Sequence, residues 1–373
     1  MYFLIFIFVG LIPFSYQEIL GIRVLLIQVV VGLIAFTLQF LSKRNFRFYF
    51  EPTLILLFLL WFLMFAFSLH TNSYNELLSL SVFSLLLFLT TQVERKGLNK
   101  LITFYQFSVL FTASGVFLQF ILHKLAGIQI FRYELFGGGR HAYSFLWEDY
   151  SFLSLFLASA VPLFLNKKIN FSSIFFSLFL LTTSVITSAR TGVVSFIIFA
   201  ALYVAYELMK SIYSGRINKK LLAATIIIFL TPALLILSMQ ALTGRQVSIS
   251  SSGRFDGFII GYNYFIDHFW FGVYFDKLFY SEHLTAIPHN IFIYMLYMGG
   301  LISFTLFVIW FLLVCANLRN VNGKIIRSLI VCLIGFQFIP SFFSAYFIAI
   351  LLGMAFVSTK PQKMHVRILE EPK

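Results

Sequence analysis

Apolar runs of transmembrane length recur along the whole of this 373-residue sequence. A helix needs ~20 predominantly apolar residues to cross the hydrocarbon core of a bilayer, so these runs predict membrane helices. The composition agrees, because 60% of the residues are hydrophobic, only 11% are charged, and the mean hydropathy is +0.93. These values exclude a water-soluble domain. They predict an all-α polytopic membrane protein in which residues 1–373 form one integral membrane domain.

Polar breaks divide the chain into twelve candidate spans. They lie near residues 2–16, 21–41, 53–69, 77–92, 101–122, 150–165, 171–187, 192–209, 221–241, 290–314, 326–340 and 343–358. The last two spans are separated only by Pro340-Ser341. This break is either a tight hairpin between two short helices or a kink in one long helix.

The basic residues indicate which loops face the cytoplasm, because cytoplasmic loops carry an excess of Lys and Arg. With a cytoplasmic N-terminus, 19 of the 27 basic residues fall in inner segments and recur at every alternate loop. The other eight are Arg23, Lys124, Arg132, Arg140, Arg190, Arg245, Arg254 and Lys277. This distribution predicts that both termini are cytoplasmic. It is the pattern of membrane topology and not that of a nucleic-acid-binding surface.

Two of the predicted outer segments, residues 123–149 and residues 242–289, are long. Long loops tend to carry function. In the first loop, residues 137–141 read Gly-Gly-Gly-Arg-His, which is either a flexible turn or a mobile strip near a substrate. In the second, Ser252 is a plausible N-cap for apolar residues at helical spacing. The spacing predicts an amphipathic helix over residues 254–268 that rests on the outer membrane surface.

Arg190 stands in a short break between two spans, at the predicted outer surface. A permanent cation is costly near hydrocarbon, so it suggests an anion site, with a lipid-linked phosphate as the natural ligand. The simpler alternative is that Arg190 caps the helix hairpin or reaches lipid headgroups. Arg254 lies in the first turn of the amphipathic helix, where a cation opposes the helix dipole unless an anion binds there too. The alternative for Arg254 is an interfacial anchor.

His289 stands where the tenth span begins, in Pro288-His289-Asn290. A histidine side chain with a pKa of about 6.5 can exchange protons at neutral pH, although a purely structural role is the alternative. Asn290 could orient the ring or bind a sugar hydroxyl. Glu148 and Asp149 are the best-placed acids for a base or a hydroxyl contact, with ordinary solvation as the alternative. The acids show no ligand-like spacing, so neither a metal nor another cofactor is expected.

Three short motifs follow one another in a fixed order and on one predicted side of the membrane. They are Ser188-Ala189-Arg190-Thr191-Gly192, then Gly244-Arg245 at the start of the large loop, then Pro288-His289-Asn290 at the next helix. This order resembles the O-antigen polymerase and O-antigen ligase superfamily of bacterial envelope glycosyltransferases. The resemblance covers residues 150–358. The usual Ser-Arg-Thr-Gly has one Ala inserted here.

The resemblance implies a glycosyltransferase C-like fold in the bacterial inner membrane and a donor glycan on undecaprenyl pyrophosphate at the outer leaflet. Arg190 and Arg254 would hold the pyrophosphate, and His289 would activate the acceptor hydroxyl. The transfer would invert the anomeric centre without a metal. The further candidates for substrate contacts are Arg140, Arg245, Glu148 and Asn290.

A polysaccharide polymerase is the favoured interpretation, and it would extend the chain onto the next lipid-linked repeat unit. An O-antigen ligase, which moves the chain to the lipid A core, would use the same donor. A lipid-linked sugar flippase or a structural membrane protein are alternatives of different classes. A chain-length regulator and a flippase are possible partners by analogy.

Overall fold

The structure is a computed structural model. It describes residues 2–19, 21–42, 51–137, 139–165, 170–214, 237–238, 240–244, 254–276, 279, 288–318 and 321–360. This part of the chain is predominantly α-helical, as predicted. Its helices are α1 (Tyr2–Gly10), α2 (Val24–Ser42), α3 (Thr53–Thr71), α4 (Asn75–Thr91), α5 (Leu98–Ala126), α6 (Tyr150–Phe164), α7 (Phe171–Ile186), α8 (Thr191–Tyr213), α9 (Arg254–Asp267), α10 (Ile291–Asn317), α11 (Gly323–Gly335) and α12 (Tyr346–Thr359).

Each predicted span except the ninth coincides with one of these helices. The ninth, residues 221–241, lies almost entirely outside the described residues, and α9 corresponds to the predicted amphipathic helix. Within the described chain, five helical segments are long and apolar enough to cross a membrane. They are Val24–Leu41, Thr53–Thr71, Arg95–Ala126, Thr191–Tyr213 and Ile291–Asn317. The other apolar helices have 10–17 residues, so the number of crossings stays a prediction.

Helices α6 and α12 form the centre of the bundle. In α6 every residue from Phe152 to Phe164 is buried, and in α12 every residue from Phe347 to Ser358 is buried. Helix α6 packs against α7, α8 and α11, whereas α12 packs against α4. A helix that is apolar on all sides belongs in the interior of such a bundle. Helices α2 and α3 instead expose large apolar side chains, as expected for surfaces that contact lipid.

The connections between successive helices lie alternately at two opposite ends of the bundle. Side-chain contacts join connections that share an end. At one end, Gln17 Nε2 donates to the Leu146 carbonyl at 2.6 Å, and Tyr16 Oη donates to the Ser344 carbonyl at 2.8 Å. At the other end, Lys360 Nζ donates to the carbonyls of Thr91 and Val93. The first end also carries the short paired strands β1 (Glu18–Ile19) and β2 (Ile22–Arg23). A longer hairpin there is formed by the antiparallel strands β3 (Arg132–Phe136) and β4 (Arg140–Phe145). We call it the hairpin end.

The last two predicted spans are separate helices. Residues 336–345 between α11 and α12 are irregular, so Pro340 does not kink one continuous helix. The Asn322 N–H lies 3.3 Å from Ser358 Oγ, so the start of α11 lies beside the end of α12. The two helices therefore run antiparallel.

Helix α10 is broken at Gly300, whose φ and ψ angles are 66° and −172°. The turn formed by residues 269–275 fits into the break. The N–H of Phe275 donates to the Met298 carbonyl at 2.8 Å, and the N–H of Leu301 donates to the Phe269 carbonyl at 2.9 Å. A Cβ atom on Gly300 would collide with the backbone of this turn. The backbone N–H and C=O groups that lose their helical partners at the break are thus hydrogen-bonded to this turn. A membrane interior requires that such groups be paired within the protein.

Candidate functional site

The first long predicted loop, residues 123–149, contains the β3–β4 hairpin. Phe136 pairs with Arg140 at its tip, and Gly139 has a left-handed φ of 74°. Gln119 of α5 holds the base of the hairpin, because its Nε2 donates to the Arg132 carbonyl at 2.9 Å and its Oε1 accepts from the Phe145 N–H at 2.9 Å. Arg140 therefore begins a strand, and the mobility of residues 137–141 stays a prediction.

Arg140 joins the hairpin to the connection between α7 and α8. Its Nε donates to Ser188 Oγ at 2.7 Å, and its Nη2 donates to the Ser188 carbonyl at 3.1 Å. Its guanidinium also lies over the Phe136 ring, 4.6 Å from the ring centroid. Arg190 is two residues beyond Ser188, at the N-cap of α8. The structure thus brings together two of the arginines that the sequence predicts for the site.

The α7–α8 turn is shaped by helix α6. Ser188 adopts a left-handed φ of 62°. Ser154 Oγ of α6 lies 3.2 Å from the Ala189 carbonyl and 3.1 Å from the Gly192 nitrogen, whose N–H donates to it. A Cβ atom on Gly192 would overlap the carbonyl of Ser154, so only glycine allows this approach. Arg190 is thus held in a turn whose two flanks are bonded to the core of the bundle.

A third segment, remote in sequence, reaches the same place. Leu242 packs against Val185 and Val193, which flank the α7–α8 turn. Gly244 has a φ of 68°, and a Cβ atom there would lie 2.6 Å from the Gly139 carbonyl oxygen. The start of the large predicted loop therefore lies against the hairpin tip. Arg245, the next residue, falls outside the described part of the chain.

The electrostatic environment of Arg140 favours an anion. Burial lowers the pKa of this guanidinium, and the positive charge of Arg190 lowers it further. Glu134 and Tyr150 partly offset this effect, but Glu134 itself pairs with Arg132 at 3.0 Å. The hydrogen bonds of Arg140 go to neutral atoms of Ser188. A bound anion would relieve the repulsion between two guanidiniums and gain charge-assisted hydrogen bonds.

The predicted acids at the start of α6 take two different positions. Asp149 is the N-cap of α6, and its Oδ1 accepts from the N–H groups of Ser151 at 2.6 Å and Phe152 at 2.9 Å. Glu148 is exposed at the same end. Asp149 therefore has a structural role. Glu148 remains accessible for a substrate contact.

His289 is half-buried and lies immediately before α10. The N-cap of α10 is Asn290, whose Oδ1 accepts from the N–H groups of Phe292 at 3.0 Å and Ile293 at 3.2 Å. Its Nδ2 donates to Gln337 Oε1 at 2.9 Å. The Asn290 amide is thus engaged in fixing the start of α10, and its contact with a substrate stays a prediction. The approach of His289 to the arginine pair stays a prediction.

Arg254 is the first residue of α9, and its side chain lies outside the described structure. The predicted apolar face of α9 is only partly buried: Phe265 lies in the core, whereas Ile259 and Tyr262 are exposed. The inner side of the helix is fixed by a hydrogen bond of 3.0 Å from Tyr297 Oη of α10 to the Phe258 carbonyl. The exposed side suits the predicted contact with the membrane surface.

The sequence did not indicate Ser154, which fixes the arginine turn from another helix. Glu134 and Tyr150, on the side of the hairpin that faces Arg140, were also missed as neighbours of the site. For Glu134, the available signal was the alternation of aromatic and polar residues on both sides of the three glycines, which is typical of a hairpin. Among the described residues, no three His, Cys, Asp or Glu side chains are grouped so that they could hold a metal ion.

No protein-family model matches the chain, and no curated protein matches it significantly.

Proposed function

We propose that this chain is a glycosyltransferase of the bacterial inner membrane that polymerises a surface polysaccharide. It would transfer a glycan chain from undecaprenyl pyrophosphate onto the next lipid-linked repeat unit. The observation that supports this most is the pair formed by Arg140 and Arg190 at the hairpin end of the helices. The charge of Arg190 lowers the pKa of the Arg140 guanidinium, and two neighbouring guanidiniums suit a ligand with two linked phosphates.

The proposed reaction requires no further source of energy, because the donor carries an activated bond between its sugar and the pyrophosphate. The acceptor hydroxyl attacks the anomeric carbon, the bond to the pyrophosphate oxygen breaks, and the lipid pyrophosphate leaves. Arg190 and Arg140 stabilise the charge that develops on the leaving group. His289 takes the proton of the acceptor hydroxyl. Attack from the side opposite the leaving group inverts the anomeric centre.

The proposal assigns the hairpin end to the outer side of the membrane, in agreement with the basic residues at the opposite end. Lys324, Arg327 and Lys360 belong to that opposite end. Arg254 and Arg245 remain proposed donor contacts, and Glu148 a proposed acceptor contact. An O-antigen ligase would use the same donor site, so the experiment below is chosen to separate the two enzymes.

The test is the surface-polysaccharide ladder of a deletion strain that carries the wild-type gene or a variant. We expect Arg190→Ala and Arg190→Lys both to fail, because lysine offers a point charge where a bidentate fork is needed. Loss of one such group typically slows turnover by about 10²–10³-fold. Arg23→Ala is the matched control. Arg23 is an exposed arginine at the hairpin end that pairs with Glu18 at 3.3 Å, and its loss should leave the ladder intact.

The form of the defective ladder identifies the enzyme, once immunoblots show equal protein in the membrane. A core that carries a single repeat unit supports the polymerase. A bare core with polymer accumulating on the lipid carrier indicates a ligase. Full activity of Arg190→Lys contradicts the pyrophosphate clamp, and an intact ladder in the deletion strain refutes both enzymes.

A further inference from the structure

The side of the hairpin opposite Arg140 carries two histidine–tyrosine pairs. Because side chains alternate along a strand, His141 and Tyr143 of β4 and Tyr133 of β3 face away from Arg140. His123 from the last turn of α5 joins them. We call these four residues the His–Tyr cluster.

Two short hydrogen bonds link the members of the His–Tyr cluster. Tyr133 Oη lies 2.5 Å from His141 Nδ1, and His123 Nδ1 lies 2.7 Å from Tyr143 Oη. The rings also lie close together and tilted to each other, with centroid distances of 4.6 Å between His123 and Tyr133 and 5.4 Å between the two histidines. The cluster therefore joins α5 to both strands of the hairpin.

The hydrogen bonds of the His–Tyr cluster depend on the charge of the histidines. A neutral ring can accept the tyrosine hydroxyl at Nδ1, whereas a protonated ring carries hydrogens on both nitrogens. The ring then donates to the hydroxyl oxygen, and the hydroxyl hydrogen must find another acceptor. Tyr143 is fully buried, and burial raises its pKa to about 12, so it remains a neutral phenol that needs an acceptor. Leaving a buried donor without an acceptor is costly.

The neighbouring charges add to this effect. From α5, His123 and Lys124 face His141, and the other described titratable groups on this side are Tyr133 and Tyr143. Two protonated histidines would stand next to each other and to a lysine, without a carboxylate among these groups. The other side of the hairpin carries the remaining charged and titratable neighbours, which are Arg132, Glu134, Arg140, Tyr150 of α6 and Arg190 of α8.

We propose that the His–Tyr cluster is a pH-responsive latch. With both histidines neutral, it docks the hairpin onto α5 and keeps Arg140 on Ser188. When the histidines are protonated, the hairpin loosens from α5, and the contact between Arg140 and the α7–α8 turn weakens with it. This inference concerns the docking of the hairpin and does not depend on the reaction proposed above.

The direction of the pH dependence follows from the environment of His141. Burial lowers the pKa of this side chain, and the charges of Lys124 and His123 lower it further. The docked hairpin therefore binds protons more weakly than the undocked one. Its stability is complete above the ordinary histidine pKa of about 6.5 and is lost as the pH falls through that value toward the lowered one.

The test is hydrogen–deuterium exchange of the full-length protein in lipid nanodiscs, from about pH 7.5 to about pH 5, corrected for the intrinsic pH dependence of exchange. We expect the protection of amides in residues 132–145 to fall severalfold at the acidic end. A variant with His123→Phe and His141→Phe has no group to protonate, so its hairpin should stay protected throughout. His268→Phe is the matched control, because His268 is an exposed histidine outside the cluster. The hairpin of this variant should lose protection at acidic pH as in the wild type.

Amides of the buried helix α6 report in the same experiment whether each variant is folded. If the double phenylalanine variant exchanges fast in α6, His123→Gln and His141→Gln take its place, since glutamine cannot be protonated. A hairpin whose protection is the same at both ends of the pH range refutes the latch. Equal loss of protection in the wild type and in a folded variant without the two histidines refutes it as well.

Discussion

The replacement of Gly192 by alanine tests whether the arginine turn is fixed by its contact with α6. Gly192 is the second residue of α8 and donates its N–H to Ser154 Oγ. A Cβ atom there would lie 2.7 Å from Ser154 Oγ and would overlap the Ser154 carbonyl group. The nearest atoms belong to backbone, so a rotation of one side chain cannot relieve the collision.

Two opposing effects determine the change in stability. Alanine is preferred over glycine in a helix by about 1 kcal/mol, which favours the variant. Forcing a methyl group into a packed site costs about 1–3 kcal/mol, and the loss of the hydrogen bond to Ser154 costs about 1 kcal/mol more. We therefore expect Gly192→Ala to destabilise the protein by about 1–3 kcal/mol, opposite in sign to the helix propensity.

The measurement is the thermal unfolding midpoint of the purified protein in detergent, compared with that of Gly323→Ala. Gly323 is the first residue of α11, and a Cβ atom there meets no other atom within 4 Å. The control variant therefore gains the higher helix propensity of alanine without a steric collision. It should unfold at or above the midpoint temperature of the wild type. If Gly192→Ala is as stable as Gly323→Ala, the close contact between the turn and α6 does not exist as described.

Two further predictions concern residues that hold the site in place. Asn290→Ala removes the N-cap of α10 and its hydrogen bond to Gln337, and should lower the free energy of unfolding by about 1–2 kcal/mol. Asn290→Asp keeps the cap and should lower it less. Thermal unfolding measures both variants. Ser188→Gly and Ser188→Ala both lose the hydroxyl that Arg140 binds. Only glycine adopts the left-handed φ of residue 188 without strain, so the glycine variant should be more stable than the alanine variant by about 1 kcal/mol. Equal unfolding midpoints would show that this backbone is not strained.

The helices could be located from the sequence because hydrocarbon imposes a length and a polarity on every segment that crosses it. The break at residues 187–190 and the start of α10 at Ile291 both follow from this rule. The amphipathic pattern likewise gave α9 nearly to the residue, since the structure begins it at Arg254 and ends it at Asp267. These features depend on local sequence alone.

The contacts of Arg140 could not be located in this way. Its partner Ser188 is 48 residues away in the chain, and no local pattern specifies which turn a hairpin tip will touch. The hairpin itself left a signal, but that signal is weaker than the one for a membrane helix, because short strands carry little periodicity. Asn290 shows a related limitation: the sequence suggested that it orients the His289 ring or binds a sugar hydroxyl, but did not indicate that its side chain caps α10.

Residues outside the motif of residues 188–192 hold Arg190 in its position. Arg190 alone could reach lipid headgroups, as any cation at a helix start can. In the fold, Ser154 fixes the turn from α6, Arg140 binds the same turn from the hairpin, and Gly244 brings the start of the next long segment against the hairpin tip. A cation that only reaches for headgroups needs no such support. Two segments thus contact the turn and a third contacts the hairpin tip, an arrangement that suits the proposed anion site, because two guanidiniums stay close together only where the surrounding backbone holds them there.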